Sequence, residues 1–157
     1  MLRIAKARLP LIVLMGLFTA VLATLPACND DEQVNERGTS EAPVFKDISA
    51  EEAVAMIKER ENDADFIIID VRTPGEFGRE HIRNAVNIDY NGPDFRDEMN
   101  GLERQKTYLV YCGSGVRSGD AVETMRELEF VDVYNIGGGM AAISQLEDAP
   151  VVSCGCS

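Results

Sequence analysis

The chain has 157 residues, room for one domain with accessory segments and too little for two full domains. Its 45% hydrophobic and 27% charged residues can form a packed core, and four cysteines do not amount to a disulfide framework at this length. The net charge is −12, and beyond the first 27 residues 12 basic and 27 acidic side chains leave −15, which argues against a nucleic-acid partner in the absence of a basic patch.

In chain order, the first element is an address. Arg3, Lys6 and Arg8 precede an apolar run from Leu9 to Thr24 that only Pro10, Gly16 and Thr19 interrupt. A basic start, an apolar stretch and a small residue before a cut predict a signal peptide over residues 1–27. The run of 16 residues falls short of the roughly 20 that a membrane-spanning helix needs. Leu25-Pro26-Ala27-Cys28 is similar to the lipobox of bacterial lipoproteins, which implies lipid attachment at Cys28. Pro26 is unusual in that box, so simple export with cleavage after Ala27 is the alternative. Either way the expectation is an exported protein of the cell envelope, held by its lipid at the periplasmic or extracellular face of a membrane. Residues 28–43 then form the attachment Cys and a polar tether, with Val34 the one aliphatic side chain longer than Ala. A flexible chain of that length spans about 20 Å.

The domain is expected over residues 44–152. Ser49 and Glu52 form a capping box, and Ala50, Ala53, Val54 and Ile57 follow at helical spacing, predicting a helix over 50–61. Phe66 to Ile69 and Tyr108 to Tyr111 are continuous apolar runs, the pattern of strands buried on both faces of a parallel sheet. Ala121, Val122, Met125 and Leu128 mark a helix face, Val131 to Ile136 a further strand, and Gly137-Gly138-Gly139 a turn into a last helix near 140–147. Alternating strands and helices predict an α/β domain whose ligands sit beyond the carboxyl ends of its strands.

Cys112-Gly113-Ser114-Gly115-Val116-Arg117-Ser118 lies at such an end, before a helix. The glycines let successive amides turn inward as an anion-binding nest, the helix start adds a positive dipole end, and Arg117 adds a fixed charge. All three favour a thiolate, the nucleophilic form of cysteine. The competing reading is a buried structural cysteine, against which the flanking glycines speak because they offer nothing to pack.

Three ordered segments resemble the rhodanese domains. They are Asp70-Val71-Arg72-Thr73-Pro74-Gly75-Glu76-Phe77 with Glu80 to Ile88, then Tyr111 to Ser118, and finally Asn135-Ile136-Gly137-Gly138-Gly139-Met140 with Ala149-Pro150-Val151. The resemblance covers roughly residues 44–152 and implies a three-layer domain with a mainly parallel sheet. It departs in two places: the family's Gly-His-Ile-Pro-Gly-Ala stands here as Glu80-His81-Ile82-Arg83-Asn84-Ala85, and Ala142-Ile143 replaces an aromatic residue after the glycine turn.

The resemblance implies a sulfurtransferase without metal or cofactor, in which Cys112 takes a sulfane sulfur from a donor such as thiosulfate and passes it to a thiol, cyanide or acceptor protein. Gly113, Ser114, Gly115, Val116, Arg117 and Ser118 would bind the substrate. A phosphatase or arsenate reductase is a second reading, but four residues between Cys112 and Arg117, where phosphatases of this fold carry five, make a cradle suited to one sulfur atom. A non-enzymatic persulfide carrier or redox sensor is the third. His81, Asp70 and Arg72 are expected to be structural, with Arg72 and Glu76 the nearer to the site. The glycine turn lacks dinucleotide-binding spacing. Residues 153–157, with Cys154 and Cys156, read as a frayed terminus or a redox pair, and more remotely as metal ligands.

Overall fold

The computed structural model describes residues 42–153. The signal peptide, Cys28, residues 29–41 of the tether, and Cys154 and Cys156 lie outside the described residues. Among the described residues no helix is long and apolar enough to cross a membrane.

The first strand, β1 (Val44–Ile48), leads into helix α1 (Ala50–Glu59). The capping box forms as predicted: the Glu52 amide donates to Ser49 Oγ at 3.2 Å and the Ser49 amide to Glu52 Oε2 at 2.9 Å. Ala50, Ala53, Val54 and Ile57 are the buried face. The helix ends at Glu59, earlier than the predicted residue 61, because Arg60 leaves helical geometry and caps back onto Met56. Strand β2 (Phe66–Asp70), the short helix α2 (Pro74–Phe77), and strands β3 (Glu80–Ile82) and β4 (Val86–Asn87) follow. Helix α3 (Phe95–Asn100) precedes β5 (Thr107–Tyr111), α4 (Val116–Glu127), β6 (Asp132–Ile136), α5 (Gly139–Ile143) and β7 (Val151–Ser153).

Five strands form one sheet in the order β1-β6-β5-β2-β4, and every neighbouring pair is parallel. Alternate residues of the central strands enter opposite cores. Ile68, Leu109 and Tyr111 pack with α1 and α5, while Ile69, Tyr108 and Val110 pack with α3 and α4. This burial on both faces is why the runs 66–69 and 108–111 are unbroken by polar residues. Truncating a fully buried member such as Ile69 or Leu109 to Ala would cost roughly 2–5 kcal/mol. The three-layer α/β expectation therefore stands.

Differences from the sequence reading are local. The last helix stops at Ile143 instead of continuing to 147, and α4 begins at Val116, ahead of its first buried apolar residue. The final strand runs through Ser153 and pairs antiparallel with β3, so Ser153 belongs to the domain and not to a tail. The Arg83-Asn84-Ala85 turn places Asn84 at φ +64, a left-handed conformation that asparagine tolerates better than most side chains. The substitution there is one of turn chemistry.

Parallel strands put their carboxyl ends on one edge of the sheet. Asp70, Tyr111 and Ile136, which end β2, β5 and β6, bring the segments that follow them together there.

Candidate active site

Cys112 is the first residue beyond β5, and the loop between it and α4 is held by its carbonyls. The Met140 amide donates to the Cys112 carbonyl at 2.7 Å and the Ala141 amide to the Gly113 carbonyl at 3.0 Å. With its oxygens anchored to α5, the loop turns its amides the other way. Gly115 adopts φ +94, a conformation costly for any residue with a Cβ, and its N–H donates to Cys112 Sγ at 3.1 Å. The Ser118 hydroxyl lies 3.5 Å from the same sulfur and 3.1 Å from the Gly115 carbonyl, so its one proton is shared between them.

The expectation that flanking glycines keep Cys112 out of the packed interior is corrected. The residue is 1% exposed and packs among Ile69, Val110 and Ala121. Its burial differs in kind from that of a structural thiol. Desolvation pushes the thiol up, but the Ser118 hydroxyl and the amides of Ser118, Ser114 and Gly115 together outweigh it, and the net shift is downward. The sulfur sits as an anion would at a helix start.

Arg117 is beside the sulfur but is not a free cation. Its Nη1 and Nη2 donate to Glu76 Oε2 and Oε1 at 3.0 and 2.9 Å. Glu76 in turn caps α2, accepting from the Thr73 amide at 3.1 Å and its hydroxyl at 2.9 Å. Arg117 above all, against the opposing effect of burial and with the help of Thr73, holds the Glu76 carboxyl down to about 2. The pair ties the turn after β2 to the loop after β5. Val116 points outward and is 69% exposed, and it contributes to the loop through its backbone.

Arg72 does not approach the site as expected. Its Nε and Nη2 bind Asp70 Oδ1 and Oδ2 at 3.0 and 2.7 Å, and Nη2 also donates to the Glu80 carbonyl at 2.6 Å. The guanidinium lies 5.6 Å from the centre of the Tyr111 ring. Arg72 braces the turn, while Glu76 alone of that group reaches the Cys112 loop. His81 is structural as expected: its ring stacks on Phe77 at 4.0 Å and Nδ1 meets the Phe77 carbonyl at 3.0 Å. A cavity of about 100 Å³ lies at the other end of β2, lined by Ile57, Phe66, Arg83 and Pro150, and it contains no nucleophile. Cys112 and its loop do not line this hollow.

Sequence reasoning missed one contributor. Gly137 to Gly139, rejected there as a cofactor loop, lead into the helix start that anchors the Cys112 carbonyl. A Cβ on Gly139 would stand 2.4 Å from that oxygen. The run of three glycines signalled a close backbone approach without saying to what.

Comparison with known proteins agrees with this geometry. Residues 49–146 match the profile of the rhodanese-like domain. The chain is 31% identical to the thiosulfate sulfurtransferase GlpE of Coxiella burnetii over 61% of its own length and 84% of that protein's. It is 36% identical to the thiosulfate sulfurtransferase PspE of Escherichia coli over 45% of this chain and 67% of the relative. Among solved structures, a rhodanese-related protein of Thermoplasma volcanium superposes with a TM-score of 0.54 at 32% identity, covering 68% of this chain and 97% of that one.

Proposed function

We propose that this chain, which belongs to the rhodanese-like domain family, is a sulfurtransferase that carries sulfur as a Cys112 persulfide. The observation that carries the reading is the set of hydrogen-bond donors gathered on one sulfur atom, with the thiol shifted toward thiolate at the carboxyl end of a parallel strand. The names of the two sulfurtransferase relatives support thiosulfate as a donor and leave the acceptor open.

In the first half-reaction the Cys112 thiolate attacks the outer sulfur of thiosulfate. The S–S bond of the donor breaks, sulfite leaves with its electron pair, and a Cys112 persulfide remains. The amides that face the thiolate stand ready for the terminal negative sulfur. In the second half-reaction cyanide, a small thiol or a protein thiol attacks that terminal sulfur and Cys112 leaves as thiolate. Burial of the thiol excludes water and bulky reagents, while the downward shift that the donors impose favours Cys112 as thiolate, both as nucleophile and as leaving group. The loop supports sulfur over a tetrahedral oxyanion: β5 ends at Tyr111 and α4 begins at Val116, so the cradle is short.

Export and lipidation at Cys28 belong to the same proposal and rest on residues 1–28 alone. Incorporation of labelled fatty acid by the parent and not by Cys28→Ser would support the anchor, and incorporation by neither would leave simple export.

The test of the activity is thiocyanate production from thiosulfate and cyanide. The parent is expected to turn over and Cys112→Ser to be inactive. A folded parent that makes no thiocyanate but accepts one sulfur atom on Cys112 would be a dedicated carrier, and one that accepts none would overturn the reading.

A further inference from the structure

Arg117 borders the Cys112 loop, yet its positive charge is already balanced within the chain. Glu76 Oε1 and Oε2 accept from its Nη2 and Nη1 at 2.9 and 3.0 Å. The same carboxylate accepts from the Thr73 amide at 3.1 Å and the Thr73 hydroxyl at 2.9 Å. It is fixed from both sides, and it cannot swing away from Arg117 without also uncapping α2. The guanidinium stands over the start of the loop, with Nη2 3.5 Å from where a Gly113 Cβ would be. The Arg117 and Glu76 side chains are 28% and 27% exposed, while Cys112 is 1% exposed, so the pair lies on the solvent side of the sulfur.

The second guanidinium of this edge is matched in the same way. Arg72 binds Asp70 through Nε and Nη2 and is buried. Two cations near a thiolate suggest a receptor for a dianion, but each has its own carboxylate. Glu76 ionises at about 2, so its charge is present at every working pH. Thiosulfate carries two negative charges. To use Arg117 it has to displace Glu76 or share the guanidinium with it, and like charges at close range in a part-buried place repel. A donor with one negative charge meets less of that repulsion and still presents an outer sulfur. The amides that face Cys112 Sγ respond to the sulfur and not to the far end of the donor.

We infer that Glu76 is a charge filter on the sulfur donor, turning the site away from dianions and toward organic sulfane-sulfur donors that carry a single negative charge. The inference rests on the Cys112 persulfide proposed above and narrows the class of donor that fills it. An organic thiosulfonate is the simplest such donor. The Cys112 thiolate attacks its outer sulfur, the S–S bond breaks, and a sulfinate leaves with the electron pair where thiosulfate would release sulfite. The sulfane sulfur is then on Cys112, and no outside oxidant or reductant takes part. Glu76 touches no reacting atom and acts through Arg117, as a positioning residue.

The experiment compares thiosulfate with methanethiosulfonate on the reduced full chain, with Cys112→Ser as the blank. Single-turnover loading of sulfur on Cys112 is followed by intact mass over a range of each donor's concentration, in the parent, Glu76→Gln and Glu76→Asp. Glu76→Gln keeps the shape of the side chain and removes its charge. It is expected to raise the loading rate with thiosulfate, relative to that with methanethiosulfonate, by about fivefold to tenfold. The gain should come chiefly from a lower half-saturating thiosulfate concentration, because the repulsion it relieves acts on binding. Glu76→Asp keeps the charge and should keep the parental ratio. A ratio that Glu76→Gln leaves alone or lowers, while Cys112 still takes up sulfur, overturns the filter and leaves Glu76 as a brace for Arg117. A ratio that Glu76→Asp raises as far as Glu76→Gln does assigns the effect to side-chain length and overturns it too. If neither donor loads Cys112 in the folded parent, the persulfide reading falls and the filter falls with it.

Discussion

Two glycine-rich turns sit side by side at the carboxyl edge of the sheet, one after β5 and one after β6, and they use their backbone groups in opposite ways. Each begins a helix from a glycine with positive φ, Gly115 at +94 and Gly138 at +78. The turn after β5 directs its amides at the Cys112 sulfur. The turn after β6 and the helix it starts commit theirs to protein oxygens: Gly137 donates to Ile48, Met140 to Cys112 and Ala141 to Gly113. One turn is a receptor for a negative charge and its neighbour is the clamp that keeps the receptor open. Donors left without protein partners are costly in a buried place, so a loop can hold them toward a ligand only if something else fixes its shape.

The strongest way to break this arrangement is through the clamp. Gly139 has φ +53 and a Cβ there would stand 2.4 Å from the Cys112 carbonyl oxygen and 3.0 Å from the Gly113 carbonyl carbon, both backbone atoms that cannot move aside alone. Gly139→Ala is expected to cost roughly 2–4 kcal/mol in denaturant unfolding and to abolish persulfide formation, although it touches no reacting atom. Retention of parental activity in a destabilised Gly139→Ala would show that the two turns are independent.

A smaller effect is expected within the receptor. Ser118→Ala removes the hydroxyl 3.5 Å from the sulfur and leaves the amides in place. The thiol titration, followed by thiolate absorbance, should move upward because a donor to the charged form is lost. The thiolate fraction at neutral pH falls, but the more basic sulfur is intrinsically more nucleophilic, so kcat/KM should drop only about threefold to tenfold. An unchanged titration would mean that the amides alone set the thiol.

Next is the strut between the turns after β2 and β5. Glu76 is held down to about 2 from an ordinary 4.5, chiefly by Arg117, so its ion pair stabilises the fold above the ordinary value and is lost as pH falls from about 4.5 toward 2. Both side chains are about a quarter exposed, and screening limits the contribution to about 1 kcal/mol. Glu76→Gln should therefore be less stable than the parent at neutral pH, with the difference shrinking in acid. A constant gap across that range would assign the loss to the Thr73 cap instead of the charge.

How far the sequence anticipates this depends on whether a feature is local. The loop from Cys112 to Ser118 is contiguous, so its glycines, its helix start and its nucleophile could be read together. The Ser49 capping box was legible and formed. The equivalent Thr73-x-x-Glu76 pattern was equally visible, but α2 is four residues long and buries none of them, so no apolar period marked it as a helix. The β3–β7 pairing joins segments about seventy residues apart, each three residues long, and nothing local predicts it. The clamp is invisible for the same reason: which carbonyl Gly139 must avoid is a tertiary fact. The burial of Cys112 was misjudged because glycines were weighed as packing partners, when the packing comes from Ile69 and Val110 on the sheet and Ala121 on α4.

The comparison is sharpened by a glycine whose loss should matter least. Gly113 directly follows the nucleophile, which by sequence alone makes it as important as any residue of the loop. Its φ is not positive, and a Cβ built there meets only the Arg117 guanidinium, at an ordinary contact distance of 3.5 Å from Nη2. The Gly113 carbonyl would still accept from Ala141, and none of the donors to the sulfur would move. Gly113→Ala is expected to change stability by no more than about 0.5 kcal/mol and to leave sulfur transfer within about twofold of the parent. If it instead behaves like Gly139→Ala, the carbonyl anchors are not what shapes the receptor, and the glycine's freedom to move during the transfer of sulfur would have to replace the clamp as the explanation.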